Sequence, residues 1–145
     1  MEYSRRKLGV LLPALFAAAA RQGQSAIATL PSKCYPYDSL PEKTNPQNHN
    51  ETRQVFDGTT HKGVEIDMHI TKLAPGQMPH PEHHHPHEEM VMLRNGSLEV
   101  TISGKTETIG AGSVAYVASN EPHHWKNPGS EPCEYFVLAV DQHNQ

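Results

Sequence analysis

The chain has 145 residues, a length that predicts a single domain. It carries 12 basic and 16 acidic side chains, a formal charge of −4 at pH 7. Residues 1–28 hold four of the basic side chains and one of the acidic ones, so residues 29–145 alone have 8 basic and 15 acidic side chains. A segment with a formal charge of −7 offers no basic stripe for phosphates, which argues against nucleic acid as a partner.

The first 28 residues have the layout of an export signal. Paired arginines, Arg5 and Arg6, precede an apolar run from 9 to 20, and Ala26-Ile27-Ala28 offers a cleavage site. The run is too short for a permanent transmembrane helix, so we expect no stable membrane insertion after cleavage. The arginine pair resembles a twin-arginine signal, which exports folded proteins, although an ordinary secretory signal fits the same residues. We therefore predict a signal peptide over 1–28 and a periplasmic or secreted bacterial protein.

Residues 29–60 are predicted to form an extended N-terminal arm. Pro, Asn, Lys and Ser are frequent between 29 and 54, and such a composition is typical of loops. We expect the arm to lie on the following domain or to reach a partner subunit. An oxidising compartment would allow a disulfide between Cys34 in this arm and Cys133, but two free thiols fit the sequence equally well.

Residues 61–145 are predicted to form an all-β domain. Apolar and polar side chains alternate from 64 to 71, which is the period of a half-buried strand. Turn signals such as Asn95-Gly96 then separate further short strand-like segments, which lie at 89–93, 98–102, 106–109, 113–118, 124–127 and 135–140. Short strands at this regular spacing predict a β-sandwich or barrel rather than alternating strands and helices.

The segment from His83 to Glu89 concentrates side chains that bind first-row metals. It contains four histidines and two glutamates, and His123 follows downstream. Alternate residues of a strand share a face, so His83 and His85 point the same way, and Glu89 lies on the same face of its strand as core residues. A buried carboxylate is costly unless it is paired or bound to a metal. The pattern predicts one metal ion held by His83, His85, Glu89 and His123.

These residues also belong to two spaced motifs that resemble those of the cupin superfamily. The first motif consists of Gly76, His83, His85, Glu89 and Gly96, and the second of Gly112, Ala118, Asn120, His123 and Asn127. Three departures leave the ligand positions intact: one additional residue before His83, alanine in place of proline at 118, and asparagine in place of glycine at 120. Because asparagine tolerates a left-handed backbone, we expect the turn at Asn120 to survive.

The resemblance implies a cupin-type jelly-roll β-barrel, also called a double-stranded β-helix, with a metal pocket open at one end. It further implies a single motif pair per chain and a homodimer as the expected assembly. Three imidazoles and one carboxylate would leave two positions of an octahedron open, which favours Mn, Fe or Ni. Zn and Cu bind the same ligand types and stay in the set of candidate metals.

Two classes of function are compatible with such a centre. The leading prediction is a metal-dependent enzyme, oxidoreductase or dioxygenase-like, that acts on a small organic substrate. The alternative is a non-catalytic protein that binds a sugar or an organic acid through its metal. No catalytic base can be assigned, but strand parity predicts that Tyr116 and Trp125 face the barrel interior and that Glu99 points outward.

The remaining histidines leave other interpretations open. His87 shares the parity of His85 and can replace His83 or His85 as a ligand. His80 and His84 are expected in solvent or at the pocket mouth, and His124 is expected to point away from the site. The whole tract can also be a surface run that scavenges metals, or the fold can be an intact cupin whose site is vacant or only structural.

Overall fold

The computed structural model describes residues 28–141, and these residues form nine β-strands. The strands are β1 (Glu42–Thr44), β2 (Glu51–Thr59), β3 (Glu65–Leu73), β4 (Glu88–Asn95), β5 (Ser97–Ile102), β6 (Lys105–Gly110), β7 (Val114–Val117), β8 (His123–Lys126) and β9 (Cys133–Asp141). All of the predicted signal peptide except Ala28 lies outside the described residues. Within residues 28–141, no helix is long and apolar enough to cross a membrane.

The strands form two antiparallel sheets that enclose one core. The larger sheet has the order β1-β2-β3-β9-β4-β7, and the smaller one has the order β6-β5-β8. The last strand, β9, lies between β3 and β4 and pairs with both of them. The core side chains are Leu73, Val91, Leu93, Leu98, Val100, Trp125, Cys133, Tyr135 and Val137. This arrangement is the predicted all-β jelly-roll barrel.

The seven strand segments predicted from residue 64 onward are all present, as β3 to β9. Their apolar side chains alternate in burial, most clearly in β4, where Val91 and Leu93 are buried between less buried neighbours. The turn after β7 also has the expected backbone, because Asn120 adopts a positive φ of 62°. The substitution of asparagine for glycine therefore preserves the left-handed turn before β8.

The segment predicted as an arm contributes two strands to the larger sheet. β2 pairs with β3 from Glu51 opposite Lys72 to Thr59 opposite Glu65, and β1 pairs with β2 in turn. The side chains of β2 are mostly polar, and among its residues only Gly58 is buried. Backbone hydrogen bonds rather than an apolar face attach β2 to the sheet, so its sequence lacks the alternation that revealed the other strands.

The two cysteines do not form a disulfide. Cys34 is exposed near the N-terminal end of the described residues, whereas Cys133 is completely buried. Cys133 packs against the turn at Gly96, where φ is 79° and a Cβ atom would lie 2.7 Å from the Cys133 Cβ atom. Burial raises the pKa of the Cys133 thiol to about 11. The thiol therefore stays protonated near neutral pH and acts as a core side chain.

Candidate metal centre

A backbone bridge joins the two halves of the candidate centre. His83 N–H donates to the His123 carbonyl at 3.1 Å, and His123 N–H donates to the His83 carbonyl at 2.9 Å. His123 begins β8, whereas His83 lies in the loop between β3 and β4. The bridge holds the two imidazole centroids 4.5 Å apart. It therefore brings the two sequence motifs together at the level of their histidines.

His85 completes a triad of imidazoles. The ligand nitrogens of His83, His85 and His123 all lie within 4.8 Å of one another. Metal–nitrogen bonds of about 2.1 Å require ligand atoms separated by roughly 3–4 Å, so small side-chain shifts suffice to close the triad around one ion. His123 is fully buried, and the other two histidines are half-buried. The three side chains can thus share one cation.

Glu89 adds a carboxylate to this triad. It lies near the start of β4 and is only 7% exposed. Its Oε2 atom is 2.8 Å from His85 Nε2 and 3.4 Å from His123 Nε2. Glu89 therefore joins the cluster through His85 and His123 rather than through His83. All four residues predicted as metal ligands lie in this one cluster.

Backbone carbonyls determine which ring nitrogen of two histidines faces the cluster. His85 Nδ1–H donates to the His87 carbonyl at 2.9 Å, and His123 Nδ1–H donates to the Glu121 carbonyl at 2.8 Å. Because a carbonyl oxygen can only accept, each Nδ1 is the donor in these bonds, and Nε2 is the nitrogen that faces the cluster and could bind a metal. Metal-binding histidines normally have such a hydrogen bond on the nitrogen that does not bind the metal.

Two buried ring nitrogens of the triad have no hydrogen-bond partner within residues 28–141. These atoms are His83 Nδ1 and His123 Nε2, and unsatisfied buried polar atoms are costly. Burial and then the proximity of His80 lower the pKa of His83, which favours the neutral imidazole that a metal requires. A divalent cation fits this site because one ligand nitrogen from each of the three histidines lies within 4.8 Å of the others, and the Glu89 carboxylate lies 3.4 Å from the unpartnered His123 Nε2.

His87 lies beside the triad rather than in it. Its ring stacks on the ring of His85, with centroids 3.5 Å apart and an interplanar angle of 8°. One ring nitrogen of His87 lies within 4.8 Å of a ring nitrogen of His85 and of a carboxylate oxygen of Glu89. His87 does not belong to the group of His83, His85 and His123. The alternative in which His87 replaces one of the predicted ligands therefore stays open as a prediction.

The other three histidines near the motifs occupy different environments. His80 is half-buried at the cavity wall, and its ring meets the edge of the His83 ring with centroids 4.0 Å apart. His84 is exposed. His124 Nδ1 lies 3.4 Å from the carboxylate of Glu82, away from the triad. These positions agree with the expectations from strand parity.

The candidate ligands line one wall of a cavity of about 620 Å³. His83, His85 and Glu89 face this cavity, whereas His123 is buried behind its surface. The other lining residues are Lys43, Thr44, Asn45, Asn48, Asn50, Thr52, His69, Thr71, Pro79, His80, His87, Trp125, Tyr135 and Val137. A small organic molecule can therefore reach an ion held by the triad.

Trp125 and Tyr135 form a rigid pair on the core side of the cavity. Both are almost completely buried, and Trp125 Nε1–H donates to the Tyr135 hydroxyl oxygen at 2.9 Å. Trp125 also stacks on His123, with centroids 5.4 Å apart. Burial raises the pKa of the Tyr135 hydroxyl far above its usual value, so this group stays protonated. The predicted inward orientation of Trp125 is confirmed.

The predicted inward orientation of Tyr116 is wrong. Tyr116 lies on β7 and is 52% exposed, because its neighbour Val117 takes the buried face of this short strand. Side chains next to each other in a strand point to opposite faces, so Tyr116 must point outward. Glu99 lies between the buried residues Leu98 and Val100 and does not line the cavity, as predicted.

Sequence reasoning missed Tyr135 and the part of the cavity formed by β1, β2 and their connecting turn. Tyr135 shares the parity of Val137, so strand alternation in β9 could have placed it inward. No comparable signal marks Lys43, Asn45 or Asn48, because their segment lacks periodicity. Their position depends on the pairing of β1 with β2, which the sequence did not predict.

Comparison with known protein families identifies part of the chain. Residues 69–140 match the family model described as a cupin domain. These residues include the second half of β3, all of β4 to β8, β9 except its last residue, and all four candidate ligands. The comparison with curated protein sequences finds no match.

Solved structures with a similar fold include the following three bacterial proteins. An RmlC-like cupin from Shewanella frigidimarina is 14% identical, with a TM-score of 0.62, and the match covers 78% of this chain and 95% of that protein. KdgF from Halomonas sp. is 11% identical, with a TM-score of 0.64, and the match covers 77% and 96% of the two chains. The polyketide cyclase RemF from Streptomyces resistomycificus is 17% identical, with a TM-score of 0.62 and coverages of 78% and 82%. At these identities, the similarity shows the fold alone.

Proposed function

We propose that the protein is a member of the cupin superfamily that holds one divalent metal ion through His83, His85, Glu89 and His123 and acts on a small organic molecule. The match of residues 69–140 to the cupin family model supports this membership. The observation that carries this proposal is the convergence of two distant motifs on one cluster that contains two unpartnered buried ring nitrogens. Glu89 supplies the negative charge that a divalent cation requires.

We favour Mn, Fe or Ni as the metal, since three imidazoles and one carboxylate leave coordination positions free for a substrate; Zn and Cu are the alternatives. Such an ion supplies Lewis acidity or redox chemistry when bound. The chain itself supplies binding and orientation: the Glu121 and His87 carbonyls orient two imidazoles, and Trp125 with Tyr135 excludes water from the core side.

We propose an enzyme, with an oxidoreductase as the leading reaction class. Support comes from the cavity of about 620 Å³ beside the candidate ligands, which is large enough for a small organic substrate. The second candidate is a binding protein for a sugar or organic acid. The cavity's lysine, amides and hydroxyls favour this alternative, because they suit recognition more than proton transfer.

Metal analysis of the purified protein tests the proposed centre, and turnover assays test the enzyme. We expect one equivalent of metal per chain after loading with Mn, Fe, Ni, Zn or Cu in turn, followed by removal of free ion. Oxygen uptake or substrate loss with the loaded protein supports the enzyme, whereas tight binding of a small acid without product supports the binding protein. Less than half an equivalent with every metal would overturn the proposed centre.

We also propose that residues 1–28 direct the export of the protein. We further propose that the protein is a homodimer, as the resemblance to cupins implies. A reporter fused behind residues 1–28 should reach the periplasm, and replacing Arg5 and Arg6 together by Lys should block its export if the twin-arginine route is used. Export that survives this replacement would indicate the ordinary secretory route.

Light scattering of the processed protein tests the proposed homodimer.

A further inference from the structure

We propose that the hairpin of β1 and β2 is a carboxylate-recognition element and that the ligand of this protein is a hydroxylated organic acid bearing one carboxylate. The proposal deepens the proposed function and rests on it, because the ligand's other oxygen atoms would face the metal. The residues assigned to the carboxylate are Lys43, Asn45 and Asn48, which line the cavity together with the candidate metal ligands.

The hairpin is fixed in place relative to the candidate metal centre. Lys43 lies opposite Thr52 in the β1–β2 pairing. Asn50 ties the hairpin to the loop after β3: its Oδ1 accepts the Ala74 N–H at 3.1 Å, and its Nδ2 donates to the Met78 carbonyl at 3.4 Å. This loop leads directly into the histidine segment, so one anchored connection positions both walls of the cavity.

The hairpin residues that line the cavity carry free hydrogen-bond donors. Asn45 Oδ1 accepts the Gln47 N–H at 2.9 Å, and Asn48 Oδ1 accepts the Asn50 N–H at 3.1 Å. Both side-chain oxygens are therefore used within the turn, and both NH₂ groups keep their donors. The Lys43 ammonium makes no ion pair within residues 28–141 and has three donors and no acceptor. Two amide donors and one ammonium suit a carboxylate.

The charges that line the cavity favour an anion. Among the described residues that line it, Lys43 is the only lysine or arginine, and Glu89 is the only carboxylate. If the imidazoles are neutral, these two charges cancel, and a divalent metal makes the lining positive. This positive site lies in a segment, 29–145, whose formal charge is −7. Short-range recognition must therefore provide the attraction, because the protein as a whole repels anions.

The single lysine and the neutral amides favour a singly charged carboxylate over a phosphate group. Phosphate sites commonly combine several basic side chains or a bidentate arginine, and no arginine lines this cavity among the described residues. The hydroxyls of Thr52 and Thr71 add sites for neutral oxygen atoms. The volume of about 620 Å³ is enough for a compact organic acid.

Paired probes that differ only in charge test the proposal. Gluconate and its uncharged amide, gluconamide, are titrated calorimetrically into protein whose metal content has been measured before and after each titration. We expect gluconate to bind about tenfold more tightly than gluconamide, as a charge-assisted hydrogen bond predicts. Lys43→Gln should remove most of this preference without changing bound metal. Lys62→Gln removes the same charge from an exposed turn outside the cavity and should preserve the preference.

The outcomes separate this proposal from the proposed metal centre. Equal affinities for the two probes, no binding of gluconate to metal-loaded protein, or an unchanged preference in Lys43→Gln would each overturn the carboxylate assignment and leave the metal centre standing. Tighter binding of inorganic phosphate than of gluconate would also overturn it. If the wild-type protein retains no metal, the proposed metal centre fails. The carboxylate assignment then survives only if titrations without metal still show a preference for gluconate that depends on Lys43.

Discussion

The cavity has two walls whose side chains differ in chemistry and in burial. One wall consists of imidazoles and a carboxylate from the 80–89 segment, with His123 of β8 completely buried behind them. The other wall is the β1–β2 hairpin, with an exposed lysine and polar amides. The first wall uses residues whose spacing in the sequence follows a recognisable motif, and the second uses residues with no motif at all.

Under the two proposals above, this difference separates two tasks of one site. Buried, hydrogen-bonded histidines suit metal binding, which demands fixed geometry. An exposed lysine and asparagines suit ligand selection, which a change in surface residues can alter without disturbing the core. We therefore expect substitutions in the first wall to change bound metal, and substitutions in the second to change ligand preference with the metal retained.

The largest effect is expected from replacing the candidate ligands. His123→Ala or Glu89→Ala should weaken metal affinity by about 100-fold or more, because each removes one direct ligand and leaves its partners unpaired. Metal content after dialysis, measured by mass spectrometry, checks this result. His84→Ala is the matched control, since His84 is exposed in the same tract. Equal loss of metal in His84→Ala would mean that a diffuse histidine tract binds the ion.

Removing the metal should destabilise the wild-type fold. At a free metal concentration about 100 times Kd, binding adds about 2.7 kcal/mol to the free energy of unfolding. For a domain of this size, the melting temperature should therefore fall by roughly 10 °C when a chelator is added. Differential scanning calorimetry measures the shift. His123→Ala should show almost no shift, and a full shift in that variant would place the stabilising ion elsewhere.

A smaller effect is expected at the core side of the cavity. Tyr135→Phe removes the acceptor for the buried Trp125 Nε1–H, which should lower the free energy of unfolding by about 1–3 kcal/mol. Urea denaturation measures this loss, and bound metal should stay at the wild-type level. Tyr116→Phe is the control, because its hydroxyl lies on an exposed strand face. A comparable loss in Tyr116→Phe would contradict the assigned orientations of the two tyrosines.

The sequence predicts well the wall that carries the candidate metal ligands, because the spacing within each of its two motifs identifies the residues. The seven strands from β3 to β9 follow from alternation, and the clustering of His83, His85, Glu89 and His123 follows from parity and motif spacing. The error at Tyr116 has a simple cause: β7 has only four residues, too few for alternation to reveal its buried face.

The hairpin wall could not be predicted in the same way. β2 joins the sheet through backbone hydrogen bonds to β3, which any residue except proline can make, so its sequence carries little information about the pairing. The position of Lys43 depends in turn on β1 pairing with β2. Both pairings are tertiary facts, and the loop-like composition of the segment obscures them.

The smallest effect is expected from Asn50→Ala, and this variant tests most directly whether the two walls of the cavity act independently. Asn50→Ala removes the side chain that ties the hairpin to Ala74 and Met78, so the hairpin should lose its fixed position while the triad keeps its own. We expect a loss of about 1 kcal/mol in the free energy of unfolding, a preference for gluconate over gluconamide reduced by about threefold, and unchanged metal content. Asn95→Ala is the control, because Asn95 is an exposed amide outside the cavity. If Asn50→Ala instead releases metal as His123→Ala does, the loop after β3 transmits the hairpin's position to the triad, and the two walls must be treated as one cooperative unit.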